Sequence, residues 1–199
     1  MGQINVTKCP IEGLYIIEPT VHGDSRGYFM ETYNRADLAE IGINCDFIQD
    51  NESKSSYGVL RGLHYQKGEF SQAKLVRVIK GKVIDVAVDL RKSSETFGQY
   101  VAVELSEENK RQLFIPRGFA HGFLVLSEEA VFTYKVDNVY APQADAGIIY
   151  NDPQIGIKWD IEADKVFCLA LFTAPFCKTV SSAWLWLIPI GIADAVVFE

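Results

Sequence analysis

The stretch that decides the fold is Lys74-Leu-Val-Arg-Val-Ile-Lys-Gly-Lys-Val-Ile-Asp-Val-Ala-Val-Asp-Leu90. Two runs rich in β-branched residues meet at Gly81, a pattern that predicts a β-hairpin. In the second run, alternate side chains fall on opposite faces of the strand. One face carries Val83, Asp85, Ala87 and Asp89. Because that face is half acidic, it either meets solvent or forms the wall of a polar cavity.

Further strand-like runs lie on both sides of this stretch, with turns rich in Gly, Pro, Ser and Asn between them. They cover residues 14–17, 27–33, 59–66, 100–105, 112–115, 120–126 and 130–136. Many short strands separated by turns predict an all-β sandwich or barrel. The one predicted helix is short, over residues 35–41, with Asn34 as its N-cap. Strands do not alternate with long helices, which disfavours a dinucleotide-binding α/β domain.

Length and composition limit the class of protein. The chain has 199 residues, of which 48% are apolar and 23% charged. These values fit one globular domain. The net charge is −7 and no basic run is present, which excludes a typical nucleic-acid binder but leaves room for one anionic small molecule. The N-terminus has no apolar signal core, so we expect a cytoplasmic protein.

Cysteine and histidine spacing gives no support for a metal site. The four cysteines form no CxxC pair and the three histidines form no HxH or HExxH motif. We therefore predict reduced thiols, no metal and no cofactor. A metal-dependent oxygenase is a weaker alternative, because it requires two histidines and a carboxylate.

The C-terminal segment differs from the rest of the chain. Residues 166–199 contain only three charged residues. The most apolar run, 183–193, has 11 residues and includes Pro189 and Gly191. A membrane-spanning helix needs about 20 apolar residues, so no membrane span is predicted. We assign 1–165 to the domain and 166–199 to an aberrant tail, which is either buried or out of register with the rest of the gene.

Arg61-Gly-Leu-His64 is a candidate for acid–base chemistry. A histidine titrates near neutral pH and suits a general base, although a lone histidine is more often structural. Strict alternation places Arg61 and His64 on opposite faces of a strand. A bulge at Gly62 is needed to bring both to one site.

Two other residue types fit the same chemistry. A buried Lys74 would stabilise an enolate or hold a phosphate, whereas a solvated Lys74 would do neither. Tyr134 alternates with apolar neighbours and is either a core residue or a proton donor. In Pro116-Arg-Gly-Phe-Ala-His-Gly-Phe123 two glycines flank His121, which indicates tight packing around a polar group.

Together these motifs resemble one enzyme family. The segments are Asp24-Ser-Arg-Gly-Tyr-Phe-Met-Glu31, Gln49-Asp-Asn51, Val59-Leu-Arg-Gly-Leu-His-Tyr-Gln66, Gln72-Ala-Lys-Leu-Val-Arg77, Phe114-Ile-Pro-Arg-Gly-Phe-Ala-His-Gly-Phe123 and Phe132-Thr-Tyr-Lys135. They are similar to the dTDP-4-dehydrorhamnose 3,5-epimerases of the dTDP-L-rhamnose pathway, over about residues 8–161. The resemblance implies a metal-independent cupin jelly roll, a homodimer and a dTDP-4-keto-6-deoxy sugar as substrate.

The resemblance also implies roles for single residues. His64 matches the family's base, Tyr134 its acid, and Lys74 the lysine near the C4 oxygen of the sugar. Tyr140 matches the aromatic that stacks on thymine, and Asp145 stands where the family often has glutamate. The residues that match the family's substrate-binding positions are Arg26, Glu31, Gln49, Asn51, Arg61, His121, Tyr140 and Asp145.

The implied reaction agrees with these residue types. A C4 ketone acidifies the hydrogens at C3 and C5. A base on one face removes each proton, a cation stabilises the enolate, and an acid on the other face returns a proton with inversion.

The match fails in the tail. The family usually carries a Lys-Asp pair, whose aspartate supports the base histidine, where this chain has Ala170 and Leu171. Asp85 is the acidic residue that we expect to compensate. Two alternatives therefore stay open: a catalytically weakened nucleotide-sugar-binding homologue, and an epimerase of a related sugar that acts at one carbon.

Overall fold

The computed structural model describes residues 4–159, 161 and 165–168 as two antiparallel sheets packed face to face. The helix α1 spans Arg35–Glu40. The strands are β1 (Ile4–Lys8), β2 (Tyr15–Pro19), β3 (His22–Asp24), β4 (Gly27–Phe29), β5 (Gln49–Ser56), β6 (Val59–Gln66), β7 (Lys74–Lys80), β8 (Lys82–Asp89), β9 (Tyr100–Ser106), β10 (Gln112–Ile115), β11 (Phe119–Val125), β12 (Glu129–Val136), β13 (Asp145–Gly147) and β14 (Phe167–Cys168).

The order of strands is that of a jelly roll. Sheet I has the order β1-β2-β10-β7-β12-β5, and sheet II has the order β13-β6-β11-β8-β9 with β14 parallel to β6. Strands β3 and β4 form a separate ribbon. The prediction of an all-β jelly roll is confirmed. The short helix is also confirmed, and Asn34 Oδ1 caps it by accepting a hydrogen bond of 2.9 Å from the Ala36 amide.

The prediction of a hairpin at Gly81 is wrong. Strand β7 pairs with β10 and β12 in sheet I, whereas β8 pairs with β9 and β11 in sheet II. Gly81 has a φ of +77°, and a Cβ there would clash with the carbonyl oxygen of Glu129. The turn therefore carries the chain from one sheet to the other. Two β-branched runs joined by a glycine look the same in the sequence whether they form a hairpin or cross between sheets.

Both faces of strand β8 are covered by other residues, and Asp85 lies on the face that points between the sheets. Val83 and Ala87 belong to the core between the sheets, together with Val76 and Phe132 from sheet I. The opposite face of β8 packs into a second cluster on the outside of sheet II, which includes Trp159. The face that carries Asp85 thus turns inward, and its carboxylate is fully buried.

The tail is described only at its start. Phe167 and Cys168 pair with Val59 and Leu60, at the beginning of β6. The rest of the predicted tail, including Ala170 and Leu171, lies outside the described residues. In the part of the chain that is described, no helix is long and apolar enough to cross a bilayer.

Candidate active site

A cavity of about 600 Å³ opens between the two sheets. Sheet I contributes Asn51, Lys74, Phe132 and Tyr134, and sheet II contributes Arg61, His64, His121 and Phe123. The cavity thus collects the base, acid and lysine positions that the sequence singles out. Their catalytic roles remain predictions.

A bulge in β6 brings Arg61 and His64 to the same cavity. His64 pairs with His121 and Arg61 pairs with Phe123, so a three-residue step on β6 faces a two-residue step on β11. Gly62 lies at this step with a φ of +129°, and a Cβ there would lie 2.5 Å from Gly122 Cα. The bulge that the sequence requires at Gly62 is therefore confirmed, and its backbone approach leaves no room for a side chain.

His64 is placed to act as a base. Its ring lies edge-on to the ring of His121, with centroids 5.7 Å apart. Burial, followed by the nearby charge of Lys74, lowers the pKa of His64 well below its usual value. The imidazole is therefore neutral at pH 7, with a lone pair for proton abstraction.

Lys74 supplies a cation close to the acid. Its side chain is only 4% exposed, and it forms no ion pair within the described residues. Burial lowers its pKa to about 8, while Asp85 and Asp145 act in the opposite direction. The ammonium is 6.0 Å from the centre of the Tyr134 ring. Most of the lysine is protonated at pH 7, so it can stabilise an anion that forms in the cavity.

Tyr134 lies on the sheet opposite His64. It follows Phe132 by two positions on β12, so both side chains turn inward, and their ring centroids are 6.2 Å apart. Burial raises the pKa of Tyr134, against a smaller opposing effect of Arg61. The phenol therefore keeps its proton at neutral pH and can donate it.

Asp85 does not support His64 directly, contrary to the prediction. Its Oδ2 atom lies 2.9 Å from Nε2 of His121. Strand β11 lies between β8 and β6 in sheet II, so the histidine within reach of Asp85 is the one on β11. Burial raises the pKa of Asp85 and lowers that of His121. Asp85 Oδ1 and His121 Nδ1 are buried and have no hydrogen-bond partner among the residues that the structure describes.

Five of the predicted substrate-binding residues line the cavity. They are Asn51, Arg61, His121, Tyr140 and Asp145. The Nε atom of Arg61 donates a hydrogen bond of 2.9 Å to Ser55 Oγ, which fixes the guanidinium at the wall. Tyr140 is 59% exposed and forms part of the rim.

The other three predicted substrate-binding residues do not line this cavity. Arg26 lies between β3 and β4, where its side chain pairs with Asp24 and is 88% exposed. Glu31 accepts a hydrogen bond of 2.9 Å from Asn34 near the start of α1. Gln49 lies beyond the lining but donates a hydrogen bond of 2.8 Å to Asn51 Oδ1. Gln49 therefore reaches the cavity only through Asn51.

Sequence reasoning missed several lining residues. Tyr65, Gln66 and Gln72 line the cavity, as do Phe123 and Phe132. Strand alternation would have found two of them, because Gln66 follows His64 by two positions and Phe132 precedes Tyr134 by two. Within the ranges that the structure describes, no group of three or more His, Cys, Asp or Glu side chains could hold a metal ion.

Comparison with known proteins identifies the family. The family model described as dTDP-4-dehydrorhamnose 3,5-epimerase matches residues 8–172. A relative of that name from Methanothermobacter thermautotrophicus is 54% identical over 162 residues, which are 81% of this chain and 87% of the relative.

Two crystal structures agree with this match. The dTDP-4-dehydrorhamnose 3,5-epimerase of Elizabethkingia anophelis is 54% identical with a TM-score of 0.81, over 83% of this chain and 91% of the other. The dTDP-6-deoxy-D-glucose-3,5-epimerase of Legionella pneumophila, in complex with dTDP-4-keto-L-rhamnose, is 50% identical with a TM-score of 0.80, over 83% and 87%. The chain belongs to the dTDP-4-dehydrorhamnose 3,5-epimerase family, as its motifs predict.

Proposed function

We propose that the protein is an isomerase that inverts C3 and C5 of dTDP-4-dehydro-6-deoxy-D-glucose. The observation that carries this proposal is the position of His64 and Tyr134, which line one cavity from opposite sheets with the Lys74 ammonium beside them. Inversion requires a base and an acid on opposite faces of the sugar ring. Family membership supports the dTDP-keto sugar as the substrate class.

The proposed reaction uses these three groups in turn. His64 removes the proton from C5 or C3, and the C–H electron pair forms a C=C bond to C4 while the carbonyl becomes an enolate oxyanion. The Lys74 ammonium stabilises that oxyanion. The electrons then return to carbon, which takes a proton from Tyr134 on the opposite face. His64 releases its proton to solvent, Tyr134 regains one, and the second carbon follows.

The rim and walls suit the nucleotide part of the substrate. We assign thymine stacking to Tyr140, because an exposed aromatic ring offers a large contact area. Arg61 presents a guanidinium to the cavity, which is suited to a diphosphate. Asn51, His121 and Asp145 supply further polar atoms around the sugar. The reaction as proposed needs no cofactor.

A homodimer would explain the position of Arg26. This arginine matches a substrate-binding residue of the family but lies outside the cavity of its own chain. Tyr28 and Phe29 beside it are 57% and 69% exposed, as expected for a ribbon that packs on a second copy. We therefore assign Arg26 to the cavity of the partner subunit.

Subunit mixing tests the dimer. Arg26→Ala and His64→Asn are each expected to be inactive. Refolding a mixture of the two restores activity if each cavity uses its own histidine and the other subunit's arginine. No recovery, with dimers demonstrated by light scattering, would contradict the assignment.

Deuterium uptake tests the reaction itself. The enzyme is incubated with the keto sugar in D₂O, and NMR follows exchange at C3 and C5. Uptake at both carbons with an L-configured product supports the proposal. Uptake at one carbon would indicate the one-carbon epimerase. Binding of dTDP without uptake would indicate the weakened homologue, which Ala170 and Leu171 favour.

A further inference from the structure

Tyr140 combines high exposure with a fixed main chain. Its side chain is at the rim, yet the residues on both sides of it are bound by one buried amide. Gln66 Nε2 donates to the carbonyl oxygen of Val139 at 3.0 Å, and Gln66 Oε1 accepts from the Ala141 amide at 2.6 Å. Gln66 thus fixes the main chain immediately before and after Tyr140.

The remaining bonding capacity of Gln66 is also directed at main chain. Its Nε2 makes a second donation, to the carbonyl oxygen of Phe70 at 2.8 Å. Both N–H groups are therefore used, and the side chain is only 6% exposed. The opposite amide orientation would place NH₂ against the Ala141 N–H, so the partners fix the orientation. Gln66 has no free donor to offer a substrate.

Neighbouring contacts hold the same rim loop. Gln72 Nε2 donates to the Asn138 carbonyl oxygen at 2.8 Å, and Asn138 Nδ2 donates to the Glu69 carbonyl oxygen at 2.8 Å. These contacts fix the main chain on both sides of Tyr140.

We infer that Gln66 is a positioning residue that preorganises Tyr140 for stacking on the thymine of a dTDP-sugar. This inference rests on the proposed function, because it requires Tyr140 to meet the base. An exposed aromatic side chain on a free loop would lose conformational freedom when it binds, and that cost weakens affinity. Two hydrogen bonds to its main-chain neighbours remove part of the cost in advance. Strand β6 then carries both the base, His64, and the support of the nucleotide site, Gln66.

The first test measures dTDP affinity by titration calorimetry. Gln66→Leu keeps the bulk of the side chain but frees Val139 and Ala141. We expect Kd for dTDP and KM for the dTDP-sugar each to rise about three- to tenfold, with kcat changed by less than about twofold.

Asn109→Leu is the matched control. Like Gln66, Asn109 makes three side-chain hydrogen bonds to main chain, to Glu104, Ser106 and Arg111, but in the β9–β10 loop away from the cavity. It should lose thermal stability without a change in Kd. If Asn109→Leu weakens dTDP binding as much as Gln66→Leu does, the effect is general destabilisation and the inference is wrong.

A double-mutant cycle with Tyr140→Ala separates the inference from the proposed function. If Gln66 acts through Tyr140, Gln66→Leu weakens dTDP binding in the native background but has almost no effect once Tyr140 is alanine. An equal loss in both backgrounds would overturn the inference and leave the stacking role intact. If Tyr140→Ala itself leaves Kd unchanged, the stacking role and the inference both fail.

A second variant covers the case that Gln66→Leu does not fold. Gln66→Glu keeps an acceptor for the Ala141 amide and loses the donations to Phe70 and Val139. Hydrogen exchange reports the loop directly, and we expect faster exchange of the Ala141 amide in Gln66→Leu and native-like exchange in Gln66→Glu. Unchanged exchange in a folded Gln66→Leu would overturn the inference, and so would native dTDP affinity in Gln66→Glu if Gln66→Leu does not fold.

Discussion

The inner end of the cavity and its rim are built in opposite ways. At the inner end, half-buried His64 and buried Lys74 lack ion-pair partners among the described residues. At the rim, Tyr140 is largely exposed but is anchored through its neighbours by Gln66. Leaving a buried polar group unpaired costs about 1–3 kcal/mol. The difference indicates that the inner end keeps its groups free for the reacting atoms, while the rim is preorganised for binding.

We expect the largest effect on the reaction from substituting the base, His64, or the acid, Tyr134. His64→Asn should abolish deuterium uptake by the substrate, since it removes the base. Tyr134→Phe should preserve uptake, because His64 can exchange its proton with solvent and return it to the same face. Formation of the inverted product should fall by about 10²- to 10⁴-fold in both variants. NMR of the sugar in D₂O measures uptake and inversion in one experiment.

The rim provides the control for this result. Both variants should bind dTDP with native affinity, because neither group belongs to the rim. Loss of uptake in Tyr134→Phe would mean that Tyr134 also removes a proton. The division of the two faces between the sheets would then be wrong.

The second prediction concerns the cation. Lys74→Met should lower kcat about 10²- to 10³-fold, as removal of an oxyanion donor does in other enzymes. Lys80→Met is the matched control, because Lys80 is at the exposed end of the same strand and pairs with Glu129 at 2.6 Å. Steady-state kinetics should show a native kcat for Lys80→Met. An equal loss in the two variants would remove Lys74 from the reaction.

The third prediction compares the two cavity histidines. His121 has a carboxylate at 2.9 Å, whereas His64 has none among the described side chains. Strand β14 runs parallel to β6 and ends where Cys168 pairs with Leu60, three residues before position 171. The resemblance implies that an aspartate at position 171 supports the base histidine, so we expect a carboxylate there to stabilise the imidazolium of His64.

Introducing the Lys-Asp pair of the family at positions 170 and 171 tests whether His64 lacks a supporting carboxylate. Ala170→Lys with Leu171→Asp should raise deuterium uptake at C3 and C5 by about 10- to 100-fold, a part of what general-base catalysis contributes. Asp85→Asn should change the uptake by less, because that carboxylate contacts His121. Equal uptake with and without the restored pair would show that His64 needs no tail carboxylate. A larger loss in Asp85→Asn would then identify the Asp85–His121 pair as the support.

Local sequence patterns predicted most strands but not their partners. Strands β6, β8 and β12 carry β-branched and aromatic residues and were found close to their observed limits. Strand β5, Gln49–Ser56, was missed because it is polar and, among the described strands, lies at the edge of sheet I beside β12. The hairpin at Gly81 was wrong because strand pairing depends on contacts far apart in the sequence.

For the candidate site too, the sequence predicted which residues take part but not all of their contacts. Motif positions led to the cavity, and the geometry of Gly62 could be deduced from the need to bring Arg61 and His64 together. The partner of Asp85 could not be deduced, since it depends on which strand lies between β8 and β6. The role of Gln66 was hidden for the same reason, because its partner Val139 is 73 residues away in sequence.

The last prediction uses pH to separate the inner end from the rim. The pKa of Lys74 is lowered to about 8 by burial, so its ammonium is lost as the pH rises through that value. The pKa of His64 is lowered below its usual value, so the base stays neutral well into the acidic range. Above the pKa, kcat/KM should therefore fall about tenfold per pH unit, with a flat region at neutral pH.

Two variants test whether this fall of kcat/KM at alkaline pH, the alkaline limb of the profile, is caused by deprotonation of Lys74. Lys74→Arg should lower activity but lose the limb near pH 8, because a guanidinium keeps its proton throughout. Tyr140→Ala should weaken substrate binding and lower the whole kcat/KM profile without moving the limb, because the rim carries no part of the titration. A limb that stays near pH 8 in Lys74→Arg would assign it to another group. The reaction would then not depend on the protonated ammonium of Lys74 at the inner end of the cavity.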